Sequence, residues 1–122
     1  MKSRIFAGFL VLAAISFLPH AAHAAVKFWI GPGGGSFSNN LYWSTSSGGA
    51  NNTTAPGAGD IATFDSGDNN NAAIDGVLSV GGIDIKSTYG GAITQSAALT
   101  VGASNFSMAG GNITVTSAAA AT

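Results

Sequence analysis

Residues 78–98 read LSVGGIDIKSTYGGAITQSAA, and residues 99–119, which follow directly, read LTVGASNFSMAGGNITVTSAA. The second stretch is a copy of the first. Leu78, Val80, Ile83, Ile85 and Ile93 align with Leu99, Val101, Phe106, Met108 and Ile113 once a two-residue insert is placed before Phe106 and a compensating gap before Gly110. A unit of roughly 20 residues built of alternating apolar positions and paired glycines signals a solenoid. The alternation assigns the faces: the aliphatic residues point inward, while Ser79, Asp84 and Lys86, with Thr100, Ser107 and Thr114 in the second copy, point outward. Gly81-Gly82, Gly90-Gly91 and Gly110-Gly111 mark tight corners. Successive units are expected to stack about 4.8 Å apart, Leu78 under Leu99 and Ile93 under Ile113. The fold class that follows is all-β, the start of a parallel β-helix (β-solenoid).

Working outward, residues 25–76 differ from this regular part, being irregular and rich in aromatic residues. Strands are expected at Val26–Ile30, Asn39–Ser44 and Ile61–Phe64, separated by the breaker Gly31-Pro32-Gly33-Gly34-Gly35 and by polar loops at 45–59 and 65–71. No window after Ala25 carries helical apolar spacing. Terminal units of a solenoid differ from internal ones because one face must be closed against water. Residues 25–76 are therefore expected to form an N-terminal cap, in which Phe28, Trp29, Phe37, Tyr42, Trp43 and Phe64 cover the first regular coil. A small separate β domain is the alternative. Residues 77–122 then supply about two coils, an incomplete set, since about three or more units are usually needed for independent stability.

The first 24 residues read as a signal peptide rather than as part of the fold. Lys2 and Arg4 precede an apolar run from Ile5 to Leu18, Pro19 ends it, and Ala22-His23-Ala24 offers a small-x-small cleavage site. The run is shorter than the ~20 apolar residues of a membrane span. Cleavage after Ala24 places the product outside the cytoplasm, as an extracellular, cell-surface or periplasmic chain with no membrane span left.

Cleavage also removes both histidines and the only arginine. The mature chain carries two lysines (Lys27, Lys86) against five aspartates (Asp60, Asp65, Asp68, Asp75, Asp84), a net charge of −3, with no Cys, His, Glu or Arg. Without a basic patch, nucleic acid is not an expected partner. Triads that need a histidine base, and metal hydrolases built on His, Cys or Glu, have no residues to use. No enzyme activity and no cofactor are expected.

The signal peptide, FWIGPGGG at 28–35, NNLYWS at 39–44, PGAGDIATFD at 56–65 and the LTVG-type repeats together resemble the beginning of bacterial surface-exposed β-strand-repeat proteins. These are the autotransporter-like and filamentous-haemagglutinin-like adhesins. The resemblance implies a right-handed parallel β-helix displayed at the cell surface as a non-enzymatic structural or adhesin segment. Its expected partners are an extracellular surface or glycan. The chain departs from that pattern in lacking further coils and a C-terminal β-barrel, which needs at least eight strands of about ten residues. The repeat stops at Thr122 where a third coil is due. Three expectations cover this: an N-terminal piece of a longer repeat protein, self-association through exposed strand edges, or a truncated reading frame without independent function.

Three sets of residues are candidates for chemistry. Asp65, Asp68, Asn69, Asn71 and Asp75 offer hard oxygen ligands of the kind calcium prefers, against a bland reading as a turn-forming loop; the spacing matches no EF-hand. Asp65 with Asp68, or Asp75 with Asp84, are the only carboxylate pairs from which glycoside cleavage is conceivable, at ~5–10 Å separation. Trp29, Tyr42 and Trp43, with Asn39 and Asn40 nearby, suggest a secreted carbohydrate-binding module, against core packing of the rings.

Overall fold

The computed structural model describes residues 23–115. The expected signal peptide lies outside the described residues up to residue 22. The described chain is all-β apart from one helical turn. Its strands are β1 (Val26–Trp29), β2 (Gly35–Ser36), β3 (Trp43–Ser44), β4 (Ile61–Phe64), β5 (Ala72–Ile74), β6 (Leu78–Val80), β7 (Gly82–Ile85), β8 (Ala92–Gln95), β9 (Leu99–Val101), β10 (Phe106–Met108) and β11 (Asn112–Val115). They form three sheets, ordered β10-β7-β4-β1-β3, β11-β8-β5-β2 and β6-β9.

Each strand from β4 to β8 pairs in parallel with the strand three places later. One strand of each sheet thus makes a tier, and the tiers lie one on another. The register matches the repeat alignment at all five positions: Leu78 faces Leu99, Val80 faces Val101, Ile83 faces Phe106, Ile85 faces Met108 and Ile93 faces Ile113. Parallel strands cannot be joined by a tight hairpin, and from β4 onward the chain contributes a strand to each of the other two sheets before it returns to the first.

The two-residue insert sits where expected, before β10, with Asn105 at φ 71 turning the chain. Asparagine is among the few non-glycine residues that visit this left-handed region readily. The compensating gap shortens the corner before β11. Gly111 lies there at φ 63, and a Cβ on it would come within 2.7 Å of the Tyr89 ring. Close approach is sharper still at Gly82, where a Cβ would stand 2.8 Å from the Ser104 carbonyl oxygen and 2.9 Å from that of Asn105. The Asn105 oxygen accepts the Ile83 N–H at 3.0 Å and so ties β7 to the turn before β10. Gly82→Ala is therefore expected to lose about 1–3 kcal/mol, the range for inserting a methyl into a packed contact. A urea midpoint that falls while the m-value holds checks it.

Residues 25–76 are less irregular than the sequence suggests. β4 and β5 lie inside that stretch and stack in register beneath β7 and β8: Ala62 faces Ile83, Phe64 faces Ile85 and Ala72 faces Ile93. Below them β1 and β2 continue the same parallel pairing, Lys27 against Ala62 and Gly35 against Ala72. Two of the sheets therefore run across residue 76 without a break. The strand expected at Asn39–Ser44 is replaced by a 3₁₀ turn at Asn40–Tyr42 leading into the two-residue β3. Asn39 causes this, because its side-chain oxygen accepts the Leu41 N–H at 2.9 Å and holds the backbone in a turn instead of a ladder.

One hydrophobic cluster runs through the tiers. Trp29, Phe37 and Trp43 pack at the bottom, Phe64 and Ile74 above them, Ile83, Ile85, Tyr89 and Ile93 in the next tier, and Leu99 higher still. The rings meet edge-on or tilted, Phe37 to Trp43 at 4.6 Å, Trp29 to Trp43 at 5.3 Å and Phe64 to Tyr89 at 5.3 Å between centroids. These are the offset geometries that aromatic quadrupoles favour. Among the described residues no helix is long and apolar enough to cross a membrane.

Candidate interaction surface at the open end of the stack

The two ends of the stack are built differently. At the β1 end, β3 runs antiparallel along β1, pairing Trp29 with Trp43 and Phe28 with Ser44. Residues 54–60 fold over the same end and take the Lys27 side chain. Its Nζ lies 2.9 Å from Asp60 Oδ2, donates to Thr54 Oγ1 at 3.2 Å, and donates to the Ala55 carbonyl at 3.3 Å. Burial acts to raise the Asp60 pKa. Hydrogen bonds from the Gly57 N–H and the Lys27 ammonium, the charge of Lys27, and the Ala25 N–H outweigh it and hold the carboxyl below the usual carboxylate range.

At the other end the last tier has no neighbour among the described residues. Phe106 and Met108 are 46% and 45% exposed, whereas Ile83 and Ile85, one tier below in the same columns, are 1% and 0% exposed. With Leu99, Val101, Ile113 and Val115 they line an open groove of about 560 Å³. Beside this groove β9, β10 and β11 are the last strands of their sheets among the described residues. From residue 87 to 115 the chain carries no charged side chain and no proline.

Each of the five calcium candidates spends a side-chain oxygen on a hydrogen bond within the fold. Asp65 Oδ1 accepts the Gly67 N–H and Asp68 Oδ1 accepts the Asn70 N–H, each at 2.9 Å, so both make local Asx turns. Asn69 Oδ1 accepts the Gly90 N–H at 2.7 Å and Asn71 Oδ1 the Ala92 N–H at 2.8 Å. Asp75 Oδ1 accepts the Ser36 hydroxyl at 2.6 Å. Among the described residues no group of three or more His, Cys, Asp or Glu side chains can hold a metal ion. The carboxylates considered for glycoside cleavage are engaged in the same way, with Asp84 paired to Lys86 at 2.6 Å.

The carbohydrate platform is corrected by burial. Trp29 and Trp43 are 1% and 0% exposed and Tyr42 is half-buried against Trp29, so the tryptophans have no face left for a sugar ring. Their indole N–H groups are also spent inside, Trp29 Nε1 on the Asn70 carbonyl at 3.1 Å and Trp43 Nε1 on the Phe37 carbonyl at 2.8 Å. Asn39 and Asn40, offered as sugar-binding partners, cap the 3₁₀ turn and accept the Ala55 N–H.

Sequence reasoning missed what the Asn69-Asn70-Asn71 run does. It joins three tiers. Downward, Asn70 Nδ2 donates to the Gly31 carbonyl and the Asn71 carbonyl accepts the Gly34 N–H; upward, the Tyr89 hydroxyl donates to the Asn70 carbonyl at 2.7 Å while Asn69 and Asn71 hold Gly90 and Ala92. The signal was present in the numbers: Asn69 to Gly90 and Asn71 to Ala92 are each 21 residues apart, the spacing that also separates Leu78 from Leu99.

Tyr89 sits on this junction, 2% exposed, with its pKa pushed up to about 12 by burial and secondarily by the charge of Asp68. The folded state therefore keeps the phenol proton at pH values where an unfolded tyrosine, near ~10, has lost it. That contribution to stability is complete below pH ~10 and disappears as pH rises through about 12. Urea midpoints are expected to fall over this window, and less steeply in Tyr89→Phe.

Compared with models of protein families, with characterised proteins and with solved structures, the chain matches none of them.

Proposed function

We propose that this chain is an exported, non-enzymatic structural segment, the start of a parallel β-helix displayed outside the cytoplasm in the manner of surface adhesins. The observation that carries this reading is the pairing of every strand from β4 to β8 with the strand three places later, in one continuing register. A stack of this kind is a stiff rod whose length scales with the number of tiers. Its outward positions, Ser79, Thr94, Thr100, Ser107 and Thr114, are exposed and small, and offer a polar flank to an extracellular surface or glycan.

The use made of the polar side chains also favours a structural role. Asp60, Asp65, Asp68, Asn69 and Asn71 all place an oxygen on a backbone N–H, and Asp75 on a serine of a lower tier. These groups hold the chain's own shape. Export is tested by expressing the 122-residue chain in a bacterium and fractionating the cells. The expected product is found outside the cytoplasm with the mass of a chain starting at Ala25; an uncleaved chain confined to the cytoplasm overturns the reading.

A further inference from the structure

We propose that Asp75-Gly76 is a modification site, where the folded chain closes on itself as a succinimide and reopens as an isoaspartyl linkage. The inference concerns the lifetime of the folded chain and is independent of where that chain is displayed.

The reaction needs no partner other than water. The Gly76 nitrogen attacks the side-chain carboxyl carbon of Asp75 in its protonated form. The nitrogen gives up its hydrogen, the carboxyl gives up its hydroxyl, and one water leaves as a five-membered ring closes. Water then adds at one of the two ring carbonyls. Addition at the side-chain carbonyl restores aspartate, whereas addition at the main-chain carbonyl leaves Gly76 joined through the Asp75 side chain. Two features of a fold oppose ring closure. A Cβ on the following residue crowds the attacking nitrogen, and an acceptor that holds its N–H keeps it from turning toward the carboxyl. Glycine, with no Cβ, removes the first obstacle.

Asp75 alone among the five aspartates escapes both. It is the only one followed by glycine. With Gly76 and Val77 it forms the exposed corner between β5 and β6, outside the paired strands. A Cβ built on Gly76 would meet nothing within 4 Å, and no backbone carbonyl of the described residues takes its N–H. The other four are tied. The nitrogen after Asp60, that of Ile61, donates to the Ala25 carbonyl at 2.8 Å, and the one after Asp65, that of Ser66, donates to Thr88 Oγ1 at 3.3 Å. Asp84 lies inside β7 with β4 and β10 paired on either side. Asp68 commits its Oδ1 to the Asn70 N–H at 2.9 Å and is followed by the side chain of Asn69.

The Asp75 carboxyl is also polarised for the step. Ser36 Oγ donates to Asp75 Oδ1 at 2.6 Å, and Ser38 Oγ stands 3.0 Å from Ser36 Oγ, as donor once the Ser36 proton is spent on Asp75. A hydroxyl on Oδ1 draws electrons from the carboxyl carbon and leaves Oδ2 to take the proton and depart. The product lengthens the corner by one backbone carbon and withdraws the carboxylate from Ser36, a contact that joins the corner after β5 to β2. The corner has room for it, since Val77 is 88% exposed.

The test holds the purified chain in warm, mildly acidic buffer for several weeks, digests it, and maps the peptides by electron-transfer fragmentation, which separates the two linkages of equal mass. An isoaspartyl peptide containing residue 75 is expected, preceded by a species lighter by one water, with the other four aspartates unchanged. Gly76→Ala keeps the charge and has space for its methyl, and is expected to slow accumulation about tenfold. Ser36→Ala is expected to slow it as well, and an unchanged rate overturns the part given to the hydroxyl. Circular dichroism that holds through the incubation shows that the folded chain is what reacts. No isoaspartate at 75, equal amounts at the other aspartates, an equal rate in Gly76→Ala, or reaction only after the dichroism is lost overturns the proposal.

Discussion

Trp43→Ala is expected to lose about 3–5 kcal/mol, the range for truncating a large buried aromatic, and so to leave much of a small domain unfolded at ambient temperature. Trp43 is fully buried, with Phe37, Trp29 and Phe64 around it at 4.6, 5.3 and 5.8 Å between ring centroids. The loss has two parts. A cavity opens among rings held by the short strands β1 and β3, and these have little freedom to collapse into it. The Phe37 carbonyl also loses the indole N–H that satisfies it at 2.8 Å. Urea unfolding followed by far-UV circular dichroism gives the number. Trp43→Phe keeps most of the volume but not the donor and separates the two parts; a loss below about 1 kcal/mol for Trp43→Ala would mean that the aromatic layer does not hold the bottom of the stack.

The second large effect is expected from Asp60→Ala. Lys27 has 9% of its side chain exposed and Asp60 has 23%, and removing the carboxylate leaves an ammonium held only by a hydroxyl and a carbonyl. Breaking a buried pair from one side typically costs about 3–5 kcal/mol, and the partial exposure of Asp60 places this case near the lower bound. The double variant Lys27→Met with Asp60→Ala removes the stranded charge and is expected to recover part of the loss, which a double-mutant cycle measures. The pH dependence has a definite sign. Because the folded-state carboxyl titrates below its unfolded value, its contribution is complete above the usual carboxylate range and is lost as pH falls through the folded pKa. Acid unfolding should therefore begin at a higher pH when urea has already weakened the chain, and the Lys27→Met/Asp60→Ala protein should lack this component.

The upper part of the fold was legible because its inward positions repeat in kind. Leu78 and Leu99, Val80 and Val101, Ile93 and Ile113 are identical pairs, and the structure sets each over its partner. The tier below them was not recognised as a tier, although β4 starts 21 residues before its partner in β7, the same interval as the Asn71–Ala92 bond. Its inward positions hold Ala62, Phe64 and Ala72 where the next tier has Ile83, Ile85 and Ile93. Close packing explains the substitution: Trp29, Phe37 and Trp43 fill the bottom of the core, so the residues that lie on them must be small in places and flat in others. Apolar identity was lost while geometry was kept.

The candidate site was legible in part. Phe106 and Met108 fall on inward positions of the second copy, and they are exposed in the structure because no further tier lies on them among the described residues. The loop at 65–71 and the aromatic trio misled for a common reason. Asp and Asn serve equally as ligands and as backbone acceptors, and Trp and Tyr serve equally as sugar platforms and as core. Only the partners decide, and several of them lie far off in sequence, as with Asn69 and Gly90, 21 residues apart, or Ser36 and Asp75, 39 apart.

The difference between the two ends also gives the molecule a direction in time. Residues that close the bottom, from Val26 to Phe64, are synthesised before the repeats, and they bring the two tryptophans and three of the phenylalanines with them. Each later strand needs only the tier beneath it as a template, and none waits for the far end of the chain. The aromatic layer is thus a starter block, and the strand stack a zip that can close at the pace at which the chain emerges.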